Sequence, residues 1–221
     1  MGDMHAYLPI AGTWARASYD GDTRWFTAQS HFGAAMTGYG YQRVDQDGDP
    51  DRPDQGYWSG DLYGLYAQSL WEFLVGTDGR NTWEKGRQPL AHTLHRLPLA
   101  GADTLTIIAH SHGGQVAACC LAESPICVPY TLRLVTIDMP VRRDMDDVYR
   151  YVRVPWLHCY SSYWNAMRWL GSQGGPVACK WAGQNIHIPG GHSGVLTNPQ
   201  WVYTIPQLLE ESYAHEKNGN S

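Results

Sequence analysis

Short apolar runs that end at glycine or at polar turns recur along the chain and predict buried β-strands. The first run covers residues 6–11 and stops at Gly12, as expected of a strand that enters a loop. Further runs lie at residues 41–44, 104–109, 133–137, 156–160 and 185–188. Each is four to six residues long, which suits a strand better than a helix.

Apolar residues at helical spacing occupy several of the segments between these runs. Helices are predicted at residues 29–36, 62–74, 83–97 and 115–123, with a last helix starting near 198–200. The segment DQDGDPDRPDQG, residues 45–56, is rich in Asp, Gly and Pro and is expected to be a solvated excursion. It lacks the ligand spacing of a calcium loop. Alternating strands and helices predict an α/β fold with a mostly parallel sheet.

The chain has 221 residues without linkers or repeats, so we expect one domain spanning 1–221. Ten Trp and fourteen Tyr against three Phe are an unusual aromatic set, which suits pocket walls as well as a core. Residues 45–57 and 161–183 interrupt the strand and helix pattern and are the expected pocket-shaping insertions.

Charge, apolar stretches and cysteine content indicate which partners and which cellular compartment to expect. With a net charge of −5 and no run of Lys or Arg, nucleic acid is not an expected partner. No apolar stretch reaches the ~18 residues of a membrane span, and the start of the chain does not resemble a signal peptide. Five cysteines, two of them adjacent at 119 and 120, do not suggest a disulfide framework. We therefore expect a soluble cytoplasmic protein with reduced thiols and no cofactor, and the sequence does not indicate its oligomeric state.

A serine lies between the predicted strand 104–109 and the predicted helix 115–123, in the segment AHSHGG. Such a sharp strand-to-helix turn presents a serine at the carboxyl edge of a sheet, and small residues two before and two after it relieve crowding. Ala109 and Gly113 meet that need. The segment resembles the nucleophile elbow of α/β-hydrolases, with Ala109 in place of the first glycine of GxSxG. The resemblance implies that Ser111 is a nucleophile, whereas the residue-level alternative is a serine that caps a helix.

Two further segments carry the same resemblance. Residues 10–15, IAGTWA, are similar to the HGTW element of lipase-like hydrolases, with Ala11 in place of its histidine. Residues 57–60, YWSG, are similar to a WSG element found in some of these enzymes. The resemblance implies that the backbone N–H groups of Thr13 and His112 form an oxyanion hole. A plain strand-to-loop turn is the alternative interpretation of AGTW.

The general base of such an enzyme is expected on a loop after the last strand. His192 has that position in PGGHSG, directly after the run 185–188. A neighbouring imidazole is needed because a serine hydroxyl is a poor nucleophile until its proton is removed. The resemblance therefore implies that His192 is the base, although an ordinary loop histidine would fit the same pattern.

The acid of the triad is ambiguous, because its commonest position, after the run 156–160, reads SSYWN without a carboxylate. Asp138 ends the preceding strand-like run, at a site that some lipases use for their acid, and it is the favoured residue. Asn165 is the alternative, as an amide that orients the histidine. Asp144, Asp146 and Asp147 are more typical of an acidic turn or helix start.

The sequence thus resembles a lipase- or esterase-like serine hydrolase of the α/β-hydrolase superfamily, acting on a small-molecule or lipid-like ester through an acyl-enzyme. Two alternatives remain. The substituted Gly and His and the missing late acid suggest a binding protein that keeps the fold without the chemistry. The pair His110 and His112 suggests a metallohydrolase, although the remaining ligands of such a metal site are not apparent. No metal is expected.

Overall fold

The computed structural model describes residues 4–10, 12, 25, 29–44, 87–88, 90–95, 102–123, 126–161 and 177–219. The predicted helix 62–74, the acidic segment 45–56 and the YWSG element lie outside these residues. So do Thr13 and Asn165.

The described strands form one six-stranded sheet in the order β2-β1-β3-β4-β5-β6. Every pairing between neighbouring strands is parallel. The strands are β1 Met4–Ile10, β2 Tyr41–Arg43, β3 Ala102–His110, β4 Thr131–Ile137, β5 Trp156–Tyr160 and β6 Gln184–His187. All six coincide with predicted apolar runs to within a few residues, so the predicted mostly parallel α/β sheet is confirmed.

Helices occupy the segments between several of these strands. They are α1 His31–Gly38, α2 His112–Glu123, α3 Asp146–Tyr149, α4 Gly194–Thr197 and α5 Thr204–Gly219, with a short 3-10 turn at Arg143–Met145. Residues 87–88 and 90–95 are also helical, inside the predicted helix 83–97. Within the described ranges, no helix has both the length and the apolar character that crossing a membrane requires.

Side chains alternate between the two faces of the sheet, so each strand contributes to two cores. On β1, Leu8 belongs to the core that includes Leu94 and the buried face of α2. The next residue back, Tyr7, belongs to the core built with Phe32 of α1 and with Ile205 of α5. Helices therefore cover both faces of the sheet in three layers, which explains why the strands are apolar almost throughout.

The last part of the chain differs from the prediction. The final helix begins at Thr204, because the side chain of Asn198 accepts the N–H of Gln200 at 2.9 Å and closes a turn. The segment directly before this turn forms the short helix α4, where a loop was expected. Its buried residues Val195 and Leu196 pack in the same core as α5, and the local sequence, with two glycines upstream, does not reveal that burial.

A buried polar network ties β4 to β5 on the α2 face. His158 is fully buried, and its Nδ1 accepts from the hydroxyl of Thr136 at 2.7 Å. That hydroxyl also accepts a hydrogen bond from Trp156 Nε1 at 2.9 Å. The other ring nitrogen, Nε2, donates to the carbonyl of Val177 at 2.9 Å. The network thus fixes His158 as a neutral imidazole, and burial lowers its pKa to about 4.

The protein is expected to lose stability at acidic pH, because the buried His158 resists protonation in the folded state. The unfolded histidine binds a proton below about 6.5 and the folded one only below about 4, so stability contributed by the neutral ring is lost across that window. The loss attributable to His158 should reach about 3 kcal/mol by pH 4. Urea unfolding of the wild type and of His158→Phe at pH 7.5 and 4.5 measures it. Between these two pH values, the free energy of unfolding should change less in the variant than in the wild type. An equal change in the two proteins would contradict the assignment.

Candidate active site

The candidate site lies at the carboxyl edge of the sheet, where β1, β3, β4 and β5 end. The residues that follow these strands are Gly12, Ser111, Asp138 and Ser161. The strand order reverses between β1 and β3, because the chain adds β2 on one side of β1 and β3 on the other. Open parallel sheets form a crevice at such a point, and ligands bind there.

Ser111 occupies a strained turn between β3 and α2. Its φ is 54°, in the left-handed region that non-glycine residues avoid, and His112 begins α2 directly after it. The backbone is held on both sides. The Ser111 N–H donates to the carbonyl of Ile137 at 2.9 Å, and its carbonyl accepts from Gly114 at 3.0 Å. The backbone thus turns sharply from strand to helix at Ser111, and the turn lies at the carboxyl edge of the sheet.

Gly12 packs directly against the serine. A Cβ at this position would lie 2.7 Å from Ser111 Cβ and 3.2 Å from the His110 carbonyl oxygen. Any larger residue would therefore displace the turn. The end of β1 is thus next to the candidate nucleophile, and the first turn of α2, which contains the predicted donor His112, begins beside it.

Asp138 is the second strained residue, with φ at 46°. It follows β4 and is almost fully buried, with a relative exposure of 1%. Both carboxylate oxygens bind Ser161, at the end of β5. Oδ1 accepts from the Ser161 N–H at 2.6 Å, and Oδ2 accepts from its hydroxyl at 2.8 Å. Asp138 and Ser111 are the two non-glycine residues with positive φ in the described part of the chain.

The pKa of Asp138 is raised to about 6, and the cause is burial, which disfavours the charged form. The two hydrogen bonds from Ser161 and the charge of His187 act in the opposite direction and limit the shift. The carboxyl group is therefore ionised at pH 7 but titrates close to neutrality.

His192 lies beside Asp138, as the sequence predicts for a base and its acid. Its Nδ1 is 3.9 Å from Asp138 Oδ2, which is too long for a hydrogen bond but close enough for attraction once the imidazole is protonated. Burial lowers the pKa of His192. The ring is consequently neutral at pH 7, the state that can accept a proton.

The loop that carries His192 is shaped by glycines and by one tryptophan. Gly190 and Gly191 have φ values of 90° and 69°, which glycine adopts at little cost. A Cβ on Gly190 would lie 2.3 Å from Cε3 of Trp201, so the indole packs on bare backbone. Trp201 thereby packs against the backbone of the loop and supports it at Gly190.

The predicted site residues fall into two groups. Ser111, His112, Asp138 and His192 all lie at the carboxyl edge described above, whereas Thr13 and Asn165 lie outside the described residues. Asp144 lies in the 3-10 turn and pairs with Arg142, and Asp146 begins α3 and pairs with Lys180, as expected of an acidic helix start.

Sequence reasoning missed Ser161 and His110 as members of the site. Ser161 stands where the acid was expected, so its polarity after β5 was an available signal. His110 was considered only as a metal ligand with His112, but its Nε2 is 2.8 Å from the His192 carbonyl oxygen. In the described ranges, no group of three or more His, Cys, Asp or Glu side chains is arranged to hold a metal ion.

Similar solved structures decide the fold. A dienelactone hydrolase from Anabaena variabilis has a TM-score of 0.56 at 16% identity, covering 97% of this chain and 87% of that one. A lipase-esterase related protein from Clostridium acetobutylicum has a TM-score of 0.52 at 8% identity, with 95% and 94% coverage. The protein has the α/β-hydrolase fold. A predicted CIB-like hydrolase from Thermoplasma acidophilum agrees, with a TM-score of 0.51 at 12% identity and 95% and 88% coverage.

No protein-family model and no curated protein matches the sequence. The α/β-hydrolase fold is therefore recognised through strand order and shape, and the identities of 8 to 16% carry no information about substrate.

Burying Asp138 is expected to cost stability at neutral pH. The folded carboxyl titrates at about 6, against 3.8 for an aspartate in water, so the stability of the protonated form is lost as pH rises through about 6. Asp138→Asn should therefore raise the free energy of unfolding at pH 8 by up to about 3 kcal/mol, with a smaller gain at pH 5. The amide can keep both contacts with Ser161. Urea unfolding at the two pH values measures this, with the exposed Asp103→Asn as control; a variant less stable than the wild type at pH 8 would contradict it.

The Trp201 contact predicts a specific effect of Gly190→Ala. Gly40 has a similar φ of 84°, but no atom lies within 4 Å of the position that a Cβ would take there, so Gly40→Ala reports backbone strain alone. Gly190→Ala adds a clash with the indole and should lower the unfolding midpoint more than Gly40→Ala does. It should also slow any reaction that needs His192, which Gly40→Ala should leave intact. Equal losses of stability in the two variants would refute the role of Trp201.

Proposed function

We propose that this protein is a serine hydrolase that cleaves carboxylic esters through an acyl-enzyme intermediate. Ser111 is the nucleophile, His192 the general base and Asp138 the acid. The proposal rests chiefly on one observation: the two strained non-glycine residues, Ser111 and Asp138, directly follow the adjacent parallel strands β3 and β4, and β3 borders the switch point of the sheet. Such strain costs about 1–3 kcal/mol per residue and typically persists at functional sites.

In the first half of the reaction, the neutral imidazole of His192 removes the proton of the Ser111 hydroxyl. The oxygen then attacks the ester carbonyl carbon, and the carbonyl oxygen becomes an oxyanion. When the tetrahedral intermediate collapses, the carbon–oxygen bond to the alcohol breaks and His192 returns its proton to the leaving alkoxide. The products of this half are the free alcohol and the acyl-serine.

In the second half, His192 removes a proton from water, and the resulting hydroxide attacks the acyl carbon. The intermediate expels Ser111, which regains its proton from His192, and the carboxylic acid leaves. The oxyanion of both halves is assigned to the backbone N–H groups of His112 and Thr13. Support comes from the position of His112 in the first turn of α2, where N–H groups and the helix dipole favour negative charge, and from the contact of Gly12 with Ser111.

Asp138 has an electrostatic and orienting role in this scheme. At 3.9 Å, its attraction to His192 is weak while the ring is neutral and increases when the ring takes the proton from Ser111. An interaction that strengthens in the transition state lowers the barrier rather than merely binding the substrate. Ester substrates are favoured over amides by the resemblance to lipase-like hydrolases, and a small-molecule or lipid-like ester is the proposed substrate class.

Intact-mass analysis after incubation with a fluorophosphonate is the direct test. The wild type should gain one adduct, and Ser111→Ala should gain none, because the reagent reacts with serines that a base activates. In an ester assay, Asp138→Asn should lower turnover by up to ~10⁴ if the carboxylate orients the base. Chelator treatment serves as a control and should have no effect.

The outcomes separate the alternatives. Folded wild-type protein without an adduct would favour a binding protein that keeps the fold, an interpretation that the long Asp138 to His192 distance also permits. Activity abolished by a chelator would favour the metallohydrolase. An adduct that persists in Ser111→Ala would mean that another nucleophile is activated.

A further inference from the structure

His110 is the last residue of β3 and directly precedes the proposed nucleophile. Its side chain is buried, with 2% exposure, on the same face of the sheet as Ile108. The ring of Trp25 meets it edge-on, with 6.1 Å between centroids. The helix that follows the His192 loop, α4, packs in the core on this same face.

The ring of His110 contacts the His192 segment in two ways. Its Nε2 is 2.8 Å from the backbone carbonyl oxygen of His192 and 3.4 Å from the hydroxyl oxygen of Ser193. Its centroid is 4.6 Å from that of the His192 ring. A carbonyl oxygen only accepts hydrogen bonds, so Nε2 carries the proton and donates it.

The environment keeps His110 in this neutral form. Burial lowers its pKa well below the usual value, and the neighbouring imidazoles of His192 and His112 act in the same direction. The hydrogen bond to the His192 carbonyl opposes the shift but does not outweigh burial. The neutral His110 is thus placed to donate its Nε2 proton to the His192 backbone.

Among the described residues at the sheet edge, Asp138 is another whose side chain lies close to the His192 ring. Asp138 is 3.9 Å away, too far to hold the neutral imidazole by a hydrogen bond, and both its oxygens are engaged by Ser161. Trp201 packs on the loop at Gly190, two residues before His192. The contact from His110 instead reaches the main chain of His192 itself, from a residue bonded to Ser111.

We propose that His110 is a positioning residue, which fixes the backbone of His192 relative to Ser111 by the hydrogen bond from Nε2. The proposal rests on the proposed function, because positioning matters only if His192 acts on Ser111. It extends that function by giving the residue between Ala109 and Ser111 a defined task. A displacement of about 1 Å in a reacting group can cost 10²-fold in rate, so loss of this bond should be visible in kinetics.

Two substitutions separate the hydrogen bond from packing. His110→Phe keeps a planar ring of similar size but has no donor, and His110→Gln keeps an N–H donor at a similar reach. In the fluorophosphonate assay, His110→Phe should slow adduct formation by roughly 10- to 100-fold. His110→Gln should recover most of that rate. A purely structural role predicts no such recovery.

His158→Phe is the matched control. His158 is also buried and also donates Nε2–H to a backbone carbonyl, that of Val177, but it lies on the opposite face of the sheet. His158→Phe should lower the unfolding midpoint without slowing adduct formation. This control measures what removing a buried histidine does when the base is not attached to it.

Hydrogen exchange of the backbone amides at residues 188–197 supplies a readout independent of catalysis. Exchange there should be faster in His110→Phe than in the wild type and should be restored in His110→Gln. Unchanged exchange and labelling in His110→Phe would overturn the positioning role, and so would equal losses in both His110 variants. If the wild type forms no adduct while exchange responds as expected, the contact is real and the proposed function has failed instead.

Discussion

The backbone hydrogen bonds of the sheet continue one residue past β3 and β4, and the candidate site depends on this continuation. The N–H of Ser111 donates to Ile137 at 2.9 Å, and the N–H of Asp138 donates to Cys159 at 2.8 Å. Each donor has a positive φ. A strained residue persists only where its surroundings over-determine it, and here the neighbouring strand supplies that restraint. The strain is therefore stabilised by the parallel ladder, whose two faces are buried under helices.

Burial of Asp138 and His192 lowers the stability of their charged forms and also suits the proposed reaction. Burial raises the pKa of Asp138 to about 6 and also lowers that of His192, so the carboxyl group is harder to ionise and the imidazole is harder to protonate. Both shifts destabilise an ion pair in the resting protein. A proton transferred from Ser111 to His192 would create the charge that Asp138 is placed to attract. Apolar packing in the two cores, away from the site, offsets this loss of stability. Such compensation is common in proteins with strained or buried polar functional sites.

Much of the fold could be predicted from sequence because its signals are local. The run before Ser111 is apolar and β-rich, and the segment after Gly114 is helix-forming, so the strand, turn and helix followed from neighbours in the chain. The position of Asp138 at the end of a strand could be predicted in the same way, since it directly follows an apolar run, whereas its role as the acid was inferred from the resemblance to lipases and stays a proposal. The partners of these residues could not be found in this way. His110 meets His192 across 82 positions and Asp138 meets Ser161 across 23, and no periodicity encodes such contacts.

The pairing of Asp138 with Ser161 also gives a physical reason why the proposed acid can stand at the end of β4 rather than β5. Parallel register sets Ile137 opposite Cys159, so the residues just beyond β4 and β5 meet at the sheet edge. A carboxylate on either strand can occupy nearly the same space, provided that the other strand supplies donors. Here β4 supplies the carboxylate, and Ser161 supplies an N–H and a hydroxyl, at 2.6 and 2.8 Å. In the proposed mechanism, the carboxylate is held by β5, and the backbone of the base is held separately by the hydrogen bond from His110 to the His192 carbonyl.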